Sequence, residues 1–223
     1  VQWTIQLLRL NAIQQDIYIR PICFNGDNGL HPDFIQSNNR VIIYVTENEF
    51  VPKKELKVGI SSWVRTGSNM IPPQAKPTGG YLNSALASTE AYSNGFDEAL
   101  FLTAKGNVSE GTAENIFIVR NNQLITPPIS DDILAGITRD TVMVLAKNTL
   151  NIPVKEQSIS RVELYSADEV FFTGTAIGIK PIIEIDRRII GIGREGVITK
   201  RIRNLYNRIV RGNQPDYLFY CTP

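Results

Sequence analysis

The sequence predicts a two-lobe α/β (α+β) protein, with a small N-terminal lobe, a linker and a larger strand-rich lobe. Three observations carry this. Strand-like runs I-Y-I-R-P-I-C-F (Ile17 to Phe24), V-I-I-Y-V (Val41 to Val45) and L-K-V-G-I-S-S (Leu56 to Ser62) crowd the first part of the chain. An irregular stretch with T-G-S-N and a Pro-Pro pair then breaks the pattern between Trp63 and Gln74. Beyond it, helical and strand periodicities mix as far as the final helix. The expected organisation is residues 1–61 for the small lobe, 62–75 for the linker and 76–223 for the large lobe.

Each element has a local signal. The opening V-Q-W-T-I-Q-L-L-R-L-N-A reads as a helix stopping near Asn11. After the linker, Leu82, Ala85, Leu86 and Thr89 recur at helical spacing, and Gly95 follows as a C-terminal stop. Strands are expected around Ala99–Leu102 and Asn115–Val119, with Asn121–Asn122 turning into Gln123–Thr126. A second helix is expected from Thr138, with Val142, Leu145, Ala146 and Thr149 on one face. Ser160-Arg-Val-Glu163 is a capping box opening a short helix. Glu169–Thr173 and Ile177–Asp186 read as strands, and Arg187–Ile192 closes a hairpin. Ile198, Ile202, Leu205 and Ile209 stripe the last helix.

Composition narrows the function. The 223 residues weigh 24.9 kDa and are 43% hydrophobic, 20% charged and 9% aromatic, ordinary values for a soluble globular protein. Lys plus Arg is 23 and Asp plus Glu is 22, a net charge of +1 that gives no reason to expect a nucleic-acid or anionic-membrane partner. No apolar run approaches the roughly 20 residues of a membrane span, and no signal-peptide pattern opens the chain. Cys23 and Cys221 form no C-x-x-C, so the expected setting is a reducing cytoplasm. With one histidine, His31 in the loop-like G-D-N-G-L-H-P, multi-His metal sites are excluded and no metal is expected. If the chain is an enzyme, its proton carrier is expected to be something other than histidine.

Four segments could carry chemistry. In G-I-T-R, Thr138 is expected to cap a helix whose free N–H groups would favour a phosphate. In T-G-T-A, Gly174 between Thr173 and Thr175 would let N–H groups converge on an anion, unless the segment is a plain turn between strands. In A-K-P-T-G-G-Y, a lysine partly desolvated in a cleft would become a nucleophilic amine. In N-V-S-E-G-T-A-E-N, alternation puts Val108 and Glu110 on one face, and an inward carboxylate needs a cationic or N–H partner.

Together these segments resemble the class IV aminotransferases, the fold type IV enzymes of pyridoxal phosphate. The resemblance runs from about Ile17 to the C-terminus. It rests on A-K-P-T-G-G-Y-L-N-S, D-E-A-L-F-L, V-S-E-G-T-A-E-N-I-F, L-A-G-I-T-R, A-D-E-V-F-F-T-G-T-A and G-V-I-T-K-R-I, six blocks in the family's order. Y-I-R-P-I-C-F-N-G-D-N-G-L is similar to the branched-chain amino-acid group.

The resemblance implies that Lys76 carries pyridoxal phosphate as an internal aldimine and then moves the substrate proton. Tyr81 would meet the cofactor's phenolate oxygen, and Glu110 its ring nitrogen. Gly136, Ile137 and Thr138, with Gly174 and Thr175, would hold the phosphate. Thr175 and Ala176 would meet the substrate α-carboxylate. Tyr18 and Arg20 would face the site, with Arg20 receiving the glutamate side chain, and Trp63 would help to wall the pocket for leucine, isoleucine or valine. The implied reaction is ping-pong transamination with 2-oxoglutarate by a homodimer or an assembly of dimers. The family's chains also extend further at the N-terminus, where a phosphate-gripping arginine is expected upstream of Val1. Two alternatives stay open: a D-amino-acid transaminase or aminodeoxychorismate lyase of the same fold, and a catalytically silent remnant.

Overall fold

The computed structural model describes residues 1–26, 38–47 and 53–221. His31 lies outside the described residues. The chain divides into two compact units, Val1–Val51 and Pro52–Pro223.

The smaller unit contains helix α1 (Gln2–Leu10) and the antiparallel strands β1 (Ile17–Asn25) and β2 (Asn39–Glu47). Register pairs Tyr18 with Thr46 and Arg20 with Tyr44. Tyr18 and Arg20, two apart on β1, share one face of the hairpin, and the Arg20 guanidinium lies 5.2 Å from the Tyr18 ring centroid. None of the described residues of this unit is fully buried.

The larger unit runs in order through β3 (Leu56–Ile60), α2 (Tyr81–Ser93), β4 (Glu98–Leu102), β5 (Val108–Gly111), β6 (Asn115–Arg120) and β7 (Gln123–Thr126). It continues with α3 (Ile137–Asn148), β8 (Val154–Glu156), α4 (Arg161–Tyr165), β9 (Glu169–Gly174), β10 (Gly178–Ile185), β11 (Arg188–Ile189) and α5 (Val197–Val210). Its nine strands form one sheet in the order β5-β4-β3-β10-β9-β6-β7-β8, with β11 beside β10. β3 pairs in parallel with both β4 and β10, and so sits inside this sheet. The division between units therefore falls between residues 51 and 52 and not after 61: the partners that claim β3 are distant in sequence.

Two-residue turns close the hairpins where the sequence permits left-handed backbone. Asn121 and Asn122 (φ 51° and 59°) join β6 to β7, and Asp186 and Arg187 (φ 48° and 63°) join β10 to β11.

Both faces of the central strands are buried, which explains apolar runs such as N-I-F-I-V and E-V-F-F. Ile116, Ile118, Val170 and Phe172 enter one core with Val58, Leu100 and Ile182. Phe117, Val119 and Phe171 enter the other, against Val142 and Ala146 of α3 and Ile198 and Ile202 of α5. The Phe117 and Phe171 rings stack at 5.2 Å.

Two helices depart from their expected faces. α2 buries Ser84, Ala87 and Ala91, while Leu82 and Leu86 are 69% and 38% exposed. Small side chains let this helix lie close over Ala99 and Phe101 of β4. α3 starts at Ile137 with Gly136 in the cap position, so Thr138 is its second residue and not its cap. A Cβ at Gly136 would strike the Asn115 carboxamide, which is why glycine occupies the cap. Val142, Leu145 and Ala146 are buried as expected, but Thr149 is exposed and bonds the Tyr217 hydroxyl. The Ser160–Glu163 capping box is formed at α4, and the Ile198, Ile202, Leu205, Ile209 stripe of α5 is fully inside.

Candidate active site

The site is built where short turns deliver polar side chains to the end of α2. A 3₁₀ turn over Pro73–Ala75 ends on Lys76, whose backbone is left-handed (φ 47°, ψ 47°). That conformation costs a non-glycine residue on the order of 1 kcal/mol and persists only where the surroundings impose it. Here Pro73 fixes the preceding turn, Lys76 N donates to Pro73 O at 2.9 Å, and Pro77 fixes the next residue. A second 3₁₀ turn, Thr78–Gly80, leads straight into α2 at Tyr81. Lys76 and Tyr81 thus flank one short, proline-braced loop.

β5 supplies the carboxylate. Val108 and Glu110 are both buried, and Glu110 has donors on each oxygen. Its Oε1 faces Arg65 Nη2 at 2.7 Å. Its Oε2 accepts from Asn115 Nδ2 and from Leu134 N, each at 2.9 Å. Burial nevertheless pushes the carboxyl up to about 7, against the pull of Arg65, the Leu134 N–H and Lys76.

One pocket joins these groups. Lys76, Tyr81, Glu110, Arg65, Asn115 and Glu114 all line it. Lys76 keeps much of its surface exposed there, so it is not the desolvated amine its sequence context suggests. Glu114 is a second buried acid on the wall, its Oε2 accepting from Ala113 N at 3.0 Å. Burial, and then the charges of Glu98 and Glu110, push it up to about 8. Behind it Glu98 Oε1 accepts from the Thr112 hydroxyl at 2.8 Å, and Ser84 of α2 donates to Thr112 O at 2.7 Å. The β5–β6 turn is thereby tied to the helix that carries Tyr81.

A family of proteins described as amino-transferase class IV matches residues 1–185 of this arrangement's sequence. The chain belongs to the class IV aminotransferases. It is 44% identical to a probable branched-chain-amino-acid aminotransferase of Aquifex aeolicus, covering all of this chain and 72% of that protein. With the branched-chain-amino-acid aminotransferase of Escherichia coli K12 it shares 41% identity over 89% of this chain, and spans 66% of that protein. The branched-chain amino acid aminotransferase of Thermobaculum terrenum, solved in its PLP form, superposes with a TM-score of 0.94 at 39% identity, covering all of this chain and 73% of that one.

Of the residues singled out in this class IV aminotransferase, Lys76, Tyr81 and Glu110 line one pocket. Gly136 stands one contact away, against the Asn115 side chain that also donates to Leu134 O at 2.8 Å. Beyond it Ile137 is 83% exposed, whereas Thr138 is buried in the first turn of α3. Thr173 and Gly174 end β9, and residues 175–177 form the turn into β10. Gly174 packs close to Ala113 on the pocket wall, and Thr175 and Ala176 are exposed. Tyr18 and Arg20 lie on β1 of the smaller unit. Trp63 is 44% exposed and is not among the described residues lining the pocket.

Arg65, Asn115 and Glu114 were not singled out. Arg65 carries a signal of its own: it is the only charged residue between Lys57 and Lys76. A lone charge in an otherwise neutral stretch beside a buried acid is a candidate partner for that acid.

Proposed function

We propose that this chain transfers the amino group of branched-chain L-amino acids (leucine, isoleucine, valine) to 2-oxoglutarate, using pyridoxal phosphate at Lys76. The observation that carries this is the single pocket joining a lysine amine, a tyrosine hydroxyl and a buried carboxylate. The names of the relatives supply the substrate class.

The residues fit that cofactor. Pyridoxal phosphate offers an aldehyde, a phenolic oxygen, a ring nitrogen and a phosphate, each calling for a different partner. Lys76 is the amine that would hold the aldehyde carbon, and Tyr81 the hydroxyl for the phenolic oxygen. Glu110 is a buried acid whose both oxygens are held in place. The start of α3 at Gly136–Thr138, with the Gly174–Thr175 turn, offers N–H groups for the phosphate. Arg65 Nε, buried and without a partner, adds a donor beside the pocket. Bound there, the cofactor supplies an electron sink for the bonding pair of the substrate Cα.

The chain's own side chains do the rest. Lys76, once free, would take the proton from the substrate Cα and deliver it to the cofactor's aldehyde carbon, work that would otherwise fall to a histidine. Glu110 places negative charge at the ring nitrogen, and Arg65 holds that carboxylate in register. Thr175 and Ala176 meet the substrate α-carboxylate. Arg20 pairs with the side-chain carboxylate of glutamate, while Tyr18 and Trp63 offer aromatic surface to leucine, isoleucine or valine. We assign the activity to the cytoplasm and to a homodimer or an assembly of dimers.

The test is an assay of leucine plus 2-oxoglutarate against D-alanine plus 2-oxoglutarate. Turnover with leucine alone supports the assignment, and turnover with D-alanine alone overturns it. Arg20→Met is expected to weaken the glutamate half-reaction more than the leucine half-reaction. Equal losses would assign Arg20 to the shared α-carboxylate or to the fold.

A further inference from the structure

Residues 61–66 run beside β4 without joining it as a regular strand. Ser61 N donates to Leu100 O at 3.0 Å, and Arg65 N to Leu102 O at 2.9 Å. α2 fastens this strap at two points seven residues apart, on one side of the helix. At the far point Glu90 Oε2 accepts from the Ser61 hydroxyl at 2.5 Å and from Ser62 N at 3.0 Å. At the near point Asn83 Nδ2 donates to Val64 O at 3.1 Å, and its Oδ1 accepts from Thr66 N at 3.4 Å. One carboxamide therefore grips the residues on both sides of Arg65.

The Arg65 side chain has little else to aim it. Its Nη2 reaches Glu110 Oε1 at 2.7 Å and its guanidinium lies 5.4 Å from the Phe101 ring centroid, but its Nε is buried without a partner. Where the head group goes therefore depends on where the backbone is held. We infer that Asn83 is a positioning residue of the site: by clamping the backbone around Arg65 it keeps the guanidinium on Glu110 and so governs how readily Glu110 ionises. This rests on the reading of the pocket as the cofactor site. Asn83 is not among the described residues lining that pocket and acts through Arg65.

The groups that face Glu110 are accounted for. Arg65 comes from the strap, Lys76 from the loop before α2, Asn115 from β6 and Leu134 N from the segment before α3. Glu114 lines the same pocket, and it is the charge of Glu110, with that of Glu98, that raises Glu114. Of these, Arg65 is the one whose grip on Glu110 passes through Asn83. Moving it away leaves the burial opposed only by Lys76 and the Leu134 N–H, so the carboxyl should titrate higher.

The test is a ¹³C NMR titration of the Glu110 carboxyl in the cofactor-free chain, repeated for Asn83→Ala, Asn83→Asp and Thr89→Ala. Asn83→Asp keeps an acceptor for Thr66 N but cannot donate to Val64 O. Thr89 is exposed on the same helix and bonds only within it, so Thr89→Ala reports general loosening of α2. Both Asn83 variants are expected to raise the Glu110 midpoint by about one pH unit, a roughly tenfold change in ionisation, and Thr89→Ala to leave it in place. An unmoved midpoint in the Asn83 variants, or an equal rise in Thr89→Ala, overturns the inference. Pyridoxal phosphate added to the unmodified chain judges the underlying reading separately. Absence of a bound-cofactor absorption band would sink that reading while leaving the titration result standing.

Discussion

Two strand carboxylates in the larger unit hold backbone N–H groups, yet they do different work. Glu169, at the start of β9, accepts from Ile198 N on Oε1 at 2.9 Å, and from Thr199 N and the Thr199 hydroxyl on Oε2 at 2.6 Å each. All three donors belong to the first turn of α5, whose cap position is Gly196 and has no side chain to offer. A Cβ at Gly196 would strike the Glu169 carboxyl, so glycine and glutamate form one device for starting a helix. Glu110 also has three donors, but they converge from the strap, from β6 and from the segment before α3, and a pocket with a lysine opens beside them. Donors from a single helix end make a fastening. Donors gathered from distant segments around a cavity make a site.

The two carboxylates are told apart most strongly through Lys76, which belongs only to the site. Lys76→Ala should reduce leucine–2-oxoglutarate turnover by about 10²–10⁴-fold or more, the range for losing a positioned proton carrier. Its melting temperature should stay unchanged, because the side chain is exposed. Undiminished turnover would remove the lysine from the mechanism. The two carboxylates come next. Glu110→Gln should cost turnover but little stability, because the amide stands in for the protonated carboxyl that burial already favours up to about pH 7. Glu169→Gln should cost about 1 kcal/mol, as for a lost helix cap, and no turnover. Equal losses of turnover in the two variants would erase the distinction.

The smallest effect is one of pH. Burial raises Glu110 from its ordinary 4.5 to about 7, and Glu114 to about 8. Between those limits the folded chain keeps protons that the unfolded chain has already released. Its stability should therefore fall as pH rises from about 4.5 to about 8. Glu114→Gln should flatten that fall. Denaturant unfolding of the cofactor-free chain at pH 5 and pH 8 checks the sign, and equal or greater stability at the higher pH would contradict it.

Much of this was legible in sequence wherever the decisive interaction is local. The α5 stripe, the Ser160–Glu163 box and the Asn121–Asn122 turn each depend on residues within a few positions of one another. Lys76, Tyr81 and Glu110 stood out because their segments carry family motifs, and the pocket unites them. The rest depended on partners far along the chain. The apolar spacing of Leu82 and Leu86 pointed to the wrong face of α2, because close approach to β4 needed Ser84, Ala87 and Ala91 instead. Residues 56–60 looked like part of the first lobe until β4 and β10 paired with them. Arg65 sat in what read as a linker, and its meaning appears only when Glu110, 45 positions later, is placed beside it. Gly136 took the cap from Thr138 because Asn115 occupies the space of a side chain.

The most direct test of the site is a visible absorption spectrum of the purified chain with pyridoxal phosphate, followed by borohydride reduction and peptide mapping. A stable band that bleaches when leucine is added, with the reduced adduct on Lys76, is the expected result. No band, or label scattered over surface lysines, would contradict the assignment of this pocket.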